Sequence, residues 1–173
     1  EINRGAWVRW SPTSKGLKLN TDGACSLRVL RVGGVVRDSW GSVLLAFSSR
    51  LGYLSSLQAE ANAMLTSITL CFQQGLDIIE AETDSKILHD VLNDLCPPPW
   101  YIFYIIRMFK GMLSDRIKNS HSWREGNQVA DHLVSLDVLG SIPIRLHDFS
   151  TLKPEGVNLI RRDALGLHYF RPP

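Results

Sequence analysis

From Leu17 to Thr21 the side chains alternate, Leu17, Leu19 and Thr21 on one face and Lys18, Asn20 and Asp22 on the other, the period of two expected of a half-buried strand. Asp22-Gly23 follows as its close. Val32 to Asp38 and Val43 to Ser49 are further β-rich runs, and the short glycine-containing connection Ser39-Trp40-Gly41-Ser42 between them predicts an antiparallel hairpin. At Ser55 the period changes. Leu57, Ala61, Met64, Leu65, Ile68, Cys71 and Phe72 recur at helical spacing, Ser55 and Gln58 have the separation of a capping box, and Gly75 supplies a stop, so 56–74 is predicted as an amphipathic helix.

Ile78 to Thr83 reads as a fourth strand, and Asp84-Ser85 leads into a second helix with Ile87, Leu88, Val91, Leu92 and Leu95 on one stripe, ended by Pro97, Pro98 and Pro99. A third helix runs from Trp100 to about Leu113, with Trp100, Tyr101, Phe103 and Tyr104 read as core and helix-start packing. Ile117 to Trp123 is a last strand, and Asn127 caps a final helix to Leu139. The order predicts an α/β fold with a mixed, hairpin-led sheet, whose chemistry is expected at the carboxyl ends of strands. Residues 1–14 read as a leader packed on the domain, 15–140 as the domain, and 141–173, which has prolines and no sustained periodicity, as an irregular tail.

The chain has 173 residues, enough for one domain with a sizeable core. Its 45% hydrophobic and 21% charged content excludes wholesale disorder. Cys25, Cys71 and Cys96 lack metal-ribbon or disulfide-framework spacing, which favours an intracellular setting. No apolar run is long enough to cross a membrane, and residue 1 is Glu, which reads as a piece of something longer. Net charge is +2, and residues 1–140 hold equal numbers of acids and bases, so composition leaves no basic footprint for nucleic acid. The five histidines show no paired spacing for zinc, and no dinucleotide, P-loop or serine-hydrolase string occurs.

Four carboxylates stand where packing would not place them. Asp22 and Asp84 each follow a strand, Glu60 falls on the rim of the apolar stripe between Leu57 and Met64, and Asp131 lies in the first turn after Asn127. If the strands before Asp22 and Asp84 are parallel neighbours, all four can converge. Two carboxylates ~4 Å apart repel by ~4 kcal/mol at an effective dielectric near 20, so such a cluster takes up protons or holds cations. An all-oxygen donor set suits Mg²⁺ or Mn²⁺, and a pair of such ions suits phosphodiester hydrolysis. Aspartates in these places also serve as turn formers, caps or dipole partners, and spacing alone leaves both readings open.

The strings LKLNTDGA (17–24), GGVVRDSWGSVL (33–44), LQAEANAML (57–65), EAETDSKIL (80–88) and HSWREGNQVADHL (121–133) stand in the order of type I ribonuclease H. Over roughly residues 10–140 the chain most resembles the plant ribonuclease H-like, reverse transcriptase-like domains derived from non-LTR retroelements. The resemblance implies a mixed five-stranded sheet, the first three strands antiparallel and the fourth and fifth parallel, flanked by helices. It also implies that Asp22 in TDGA, Glu60 in QAE, Asp84 in ETDS and Asp131 in VAD are catalytic and hold two Mg²⁺ ions, with Mn²⁺ as a substitute. Asp22 would bridge both ions, Asp131 would serve the one carrying the attacking water, and Glu60 with Asp84 the other.

The implied reaction is cleavage of the RNA strand of an RNA:DNA hybrid, with RNA recognised through its 2′-hydroxyls. Gly23, Ala24, Arg28, Arg31, Ser85 and Asn127 are the implied substrate contacts of a monomeric domain, carried on its own or in a polyprotein. In one respect the chain departs from the family. The usual Gly-Asn-Pro-Gly type loop is replaced by Cys25-Ser26-Leu27-Arg28-Val29-Leu30-Arg31, which raises the alternative of a catalytically weakened module that keeps the fold and binds. His121 is assigned no catalytic role, and Arg107, Lys110, Arg116 and Lys118 read as a solvated face rather than a hybrid-binding one.

Overall fold

The computed structural model describes residues 5–26, 29–52, 55–113, 117–136, 144–145 and 152–173. The expected strands are present as β2 (Leu17–Ser26), β3 (Val29–Arg37), β4 (Val43–Leu51), β5 (Ile78–Thr83) and β6 (Lys118–His121), and a short β1 (Ala6–Val8) precedes them. The helices are α1 (Ser56–Gln73), α2 (Lys86–Leu92), α3 (Phe103–Met112) and α4 (Gln128–Ser135). In the sheet, β2, β3 and β4 run antiparallel while β5 and β6 add in parallel on the other side of β2, and a two-residue strand β7 (Ile144–Arg145) extends the β4 edge. The five-stranded mixed sheet is thus present, with one short strand more.

Local chemistry explains α1. Ser55 accepts from the Gln58 N–H at 3.3 Å and the Gln58 side chain accepts from the Ser55 N–H at 2.9 Å, a complete capping box, and Gly75 follows the helix at φ +66°. Alternation along the central strands divides the core between two faces. Val36, Leu45 and Phe47 pack with Met64, Ile68 and Cys71 of α1 on one face, whereas Val35 and Ala46 pack with Val129 and Leu133 of α4 on the other. No described helix is long and apolar enough to cross a membrane.

The tail departs from its predicted irregularity. It carries α5 (Pro154–Ala164) and β8 (Tyr169–Arg171), and β8 pairs antiparallel with β1, so the leader is also drawn into a strand pair. Pro154 is compatible with α5 because at the first helical position it loses no hydrogen bond. Ile160 of α5 joins the core on the α4 face. A buried polar network ties these ends to the sheet. Arg37 donates to Asp163 of α5 at 2.6 Å and to the Asn20 side-chain oxygen at 2.9 Å, the Trp10 indole donates to that same oxygen at 2.9 Å, and the Tyr169 hydroxyl donates to Asp163 at 3.0 Å. The Arg37 guanidinium also lies 3.9 Å from the Trp10 ring centroid. Lys18 lies between Glu80 and Glu82 and donates to the Ser11 carbonyl at 2.9 Å.

The aromatic run is a second departure. Ile102 is buried, but Trp100 is 85% and Tyr104 74% exposed, so the packing role predicted for this run belongs to Ile102, Ile106 and Phe109. Trp100 and Tyr101 belong to a 3-10 turn (Trp100–Ile102), and Phe103 and Tyr104, which open α3, lie off the face that buries Ile106 and Phe109.

Candidate active site

The parallel pairing of β2 with β5 runs to Thr21 opposite Thr83 and stops there. Asp22 and Asp84 are the next residue on each strand, so they emerge side by side where the parallel ladder ends. Asp22 does not terminate its strand as predicted, because β2 continues against β3 as far as Ser26 opposite Val29. The segment read as a replaced loop is therefore largely a hairpin extension, with Cys25 opposite Leu30. Glu60 comes from the first turns of α1, which crosses over β2 at Gly23. There the helix backbone approaches so closely that a β-carbon on Gly23 would lie 2.4 Å from the Ala59 carbonyl carbon and 2.5 Å from the Glu60 nitrogen.

This contact gives Gly23 a packing role. Gly23→Ala would force the Asp22 strand and the Glu60 helix apart. It is expected to cost about 1–3 kcal/mol and to abolish any rise in Tm on adding Mg²⁺, read by thermal melts with Mg²⁺ and with EDTA. An unchanged Tm in EDTA would contradict the close approach.

Carboxylate oxygens of Asp22, Glu60 and Asp84 lie within 4.8 Å of one another. Asp131 stands outside that trio, where Arg124 donates to it at 2.8 Å, yet its charge still acts on Asp22 and Asp84. Burial first, and then the charges of Asp84 and Asp131, push Asp22 up to about 7 from its ordinary 3.8, against the Gly23 N–H that donates to it at 2.8 Å. Burial likewise raises Glu60 well above the carboxylate range, followed by the charges of Asp22 and Asp84 and a hydrogen bond with Asp22. Asp84 is raised too, again chiefly by burial. The Glu60 Oε2 and Asp84 Oδ1 atoms are buried with no hydrogen-bond partner. Desolvated carboxylates with unused acceptors form a centre short of positive charge, and their hard oxygens fit a divalent ion such as Mg²⁺.

Of the other expected contacts, Ala24 is half-buried one residue beyond Gly23, and Arg31 is half-buried on β3. Arg28 lies outside the described residues. Ser85 caps α2, accepting from the Leu88 N–H at 3.3 Å. Asn127 stands at the N-cap of α4 without a side-chain cap bond: it is 1% exposed, and its amide donates to the Thr21 carbonyl at 2.9 Å. That bond anchors the start of α4, and so Asp131, to the strand bearing Asp22. Arg124, Trp123 and Arg171 escaped the sequence reading. Arg124 lies in the 3-10 turn Arg124–Gly126 ahead of α4, so no helical period relates it to its partner Asp131.

The family model described as reverse transcriptase-like matches residues 20–136. A curated Arabidopsis thaliana protein with a provisional ribonuclease H name is 28% identical over 164 residues, which is 92% of this chain but only 26% of that protein. The chain thus spans about a quarter of that relative. Among solved structures, RNase H1 from Halobacterium salinarum aligns with a TM-score of 0.63 at 22% identity, covering 68% of this chain and 92% of that one. LC11-RNase H1, obtained from compost and solved with an RNA/DNA hybrid, aligns with a TM-score of 0.63 at 20% identity, covering 68% and 93%. The foamy viral protease-reverse transcriptase solved with dsDNA aligns at 0.59 and 18% identity, covering 70% and 92%. At these identities the likeness is one of fold.

Proposed function

The chain belongs to the reverse transcriptase-like family, and on that premise we propose that it is a Mg²⁺-dependent endonuclease hydrolysing the RNA strand of RNA:DNA hybrids. The observation that carries this reading is the meeting of Asp22, Glu60 and Asp84 oxygens within 4.8 Å, with buried acceptor atoms unused. Asp22, Glu60 and Asp84 would hold two ions together with Asp131, which Arg124 keeps at the rim. When bound, such ions supply Lewis-acid chemistry, acidifying water and neutralising charge that develops on the phosphate.

The chain's own contribution is positioning. The Gly23 N–H orients the Asp22 carboxylate, the β2–β5 register sets Asp84 beside it, and the Asn127 bond to Thr21 fixes the end of α4 that bears Asp131. Burial keeps the acids in low dielectric, where their attraction for a cation is strongest. The solved relative carrying an RNA/DNA hybrid supports the substrate class, and the Arabidopsis relative's name supports the activity.

A second reading is favoured by one observation. Cys25–Ser26 and Val29–Leu30 pair as strand where the family has a small-residue loop, so the close approach of backbone to substrate is altered. In that case the domain binds nucleic acid without cutting it. Incubation of the protein with a hybrid labelled on its RNA strand, beside single-stranded RNA and DNA duplex, separates the two. The nuclease reading expects internal RNA cuts in the hybrid that require Mg²⁺ or Mn²⁺ and stop in EDTA. Tight hybrid binding without turnover in either metal would leave the binding module standing.

A further inference from the structure

Beside Asp84 opens a cavity of about 520 Å³, lined also by Lys86, His121, Trp123, Arg124 and Arg171. Arg171 is the third residue of β8 and lies far beyond residues 20–136, the part of the chain that the family accounts for. It arrives through the pairing of β1 with β8, in which Ala6 lies opposite Arg171 and the Trp7 and Phe170 rings meet edge to face at 5.3 Å. Its guanidinium lies 3.4 Å from the Trp123 ring centroid. Trp123 is held in turn by His121, whose ring meets it edge-on at 5.5 Å and whose Nε2 is 3.2 Å from the Asp84 carbonyl.

Among the cations of this cavity, Lys86 is paired with Asp90 at 2.5 Å and Arg124 with Asp131 at 2.8 Å. Arg171 has no carboxylate partner among the described residues. Stacking occupies the face of its guanidinium and leaves the in-plane N–H groups unspent, the arrangement in which arginine grips a phosphate with two donors at once. With Asp84 committed to a cation, the cavity presents three positive side chains against Glu125 alone.

We propose that this cavity is a phosphate subsite for the nucleic-acid strand, one step along the backbone from the carboxylate centre, with Arg171 as its principal ligand and the β1–β8 ribbon as an added part of the nucleic-acid interface. The inference rests on the nuclease reading of the adjoining centre and assigns to the ribbon a role in holding substrate. Arg171 acts by binding and positioning.

The test uses the full chain carrying Asp22→Asn, which suppresses turnover, and follows binding of a fluorescent RNA:DNA hybrid by anisotropy across a salt series. Arg171→Gln keeps a planar group on Trp123 but removes the charge. It is expected to weaken binding about five- to tenfold at low salt and to lower the salt-dependence slope by about one phosphate contact. Arg171→Lys is expected to restore the slope. Lys15→Gln, which removes one exposed positive charge outside the cavity, serves as the control for bulk charge and is expected to retain the slope. Equal affinity and slope for Arg171→Gln and its parent would overturn the proposal, as would a slope reduced equally by Lys15→Gln. A parent that binds no hybrid at all would bring down this inference together with the nuclease reading, whereas parental binding indifferent to Arg171→Gln would bring down the subsite alone.

Discussion

Asp22→Asn is expected to reduce hybrid cleavage by about a thousandfold or more while making the metal-free protein more stable at neutral pH. The activity figure corresponds to roughly 4 kcal/mol of lost transition-state stabilisation, a plausible size for removing a ligand that several charges share. The stability gain follows from the same burial. In the folded protein Asp22 holds its proton up to about pH 7, while in the unfolded chain it ionises near its ordinary 3.8. Between those values the folded state binds more protons, so stability falls as pH rises through the window, and the full cost is felt above it.

Asparagine imitates the protonated form. The variant should therefore match wild type in Tm near pH 4 and exceed it at pH 8 in EDTA, by on the order of 2 kcal/mol once sharing of charge with Glu60 and Asp84 is allowed for. Millimolar Mg²⁺ should raise the wild-type Tm and narrow that gap. Undiminished cleavage by Asp22→Asn would sink the metal-centre reading. A variant less stable than wild type at pH 8 in EDTA would show instead that the carboxylate is a structural acceptor.

Removing the Asp163 carboxylate is the second large effect expected. Arg37 and Asp163 are 1% and 2% exposed, and their 2.6 Å contact bridges the third strand and α5. Burial lowers the pKa of Arg37 and raises that of Asp163, while the charge of each opposes the shift of the other. Asp163→Ala leaves the guanidinium buried and uncompensated, a change that typically costs about 3–5 kcal/mol, a large share of a total stability of roughly 5–15 kcal/mol. Urea unfolding should show the loss as a lower midpoint with an unchanged slope. Combining Arg37→Met with Asp163→Leu should recover most of it, because apolar side chains of similar volume need no partner. A midpoint unmoved by Asp163→Ala would mean that the tail is only laid against the domain.

These two residues mark the border between what was readable in the chain and what was not. The alternation at Leu17, Leu19 and Thr21, the helical spacing from Leu57 to Phe72 and the capping box at Ser55 belong to neighbouring residues, so local periodicity was enough to place β2 and α1. Asp22, Glu60 and Asp84 stood out because each interrupts such a pattern. Asp163 interrupts nothing. It sits in a charged segment with Arg161 and Arg162, and its partner Arg37 is 126 positions away.

The sequence by itself determined the strands and helices between Leu17 and Ser135, their α/β order and the acids worth examining, since backbone period and side-chain polarity are properties of short segments. Tertiary structure alone decided that Thr21 stands opposite Thr83, which brings Asp22 beside Asp84, that Gly23 lies under the backbone of α1, and that the tail returns to seal Arg37 and to lay Arg171 on Trp123. Those pairings are chosen among many distant partners by which arrangement satisfies buried charges and donors together. That selection acts on the whole folded chain, so no stretch of it carries the answer alone.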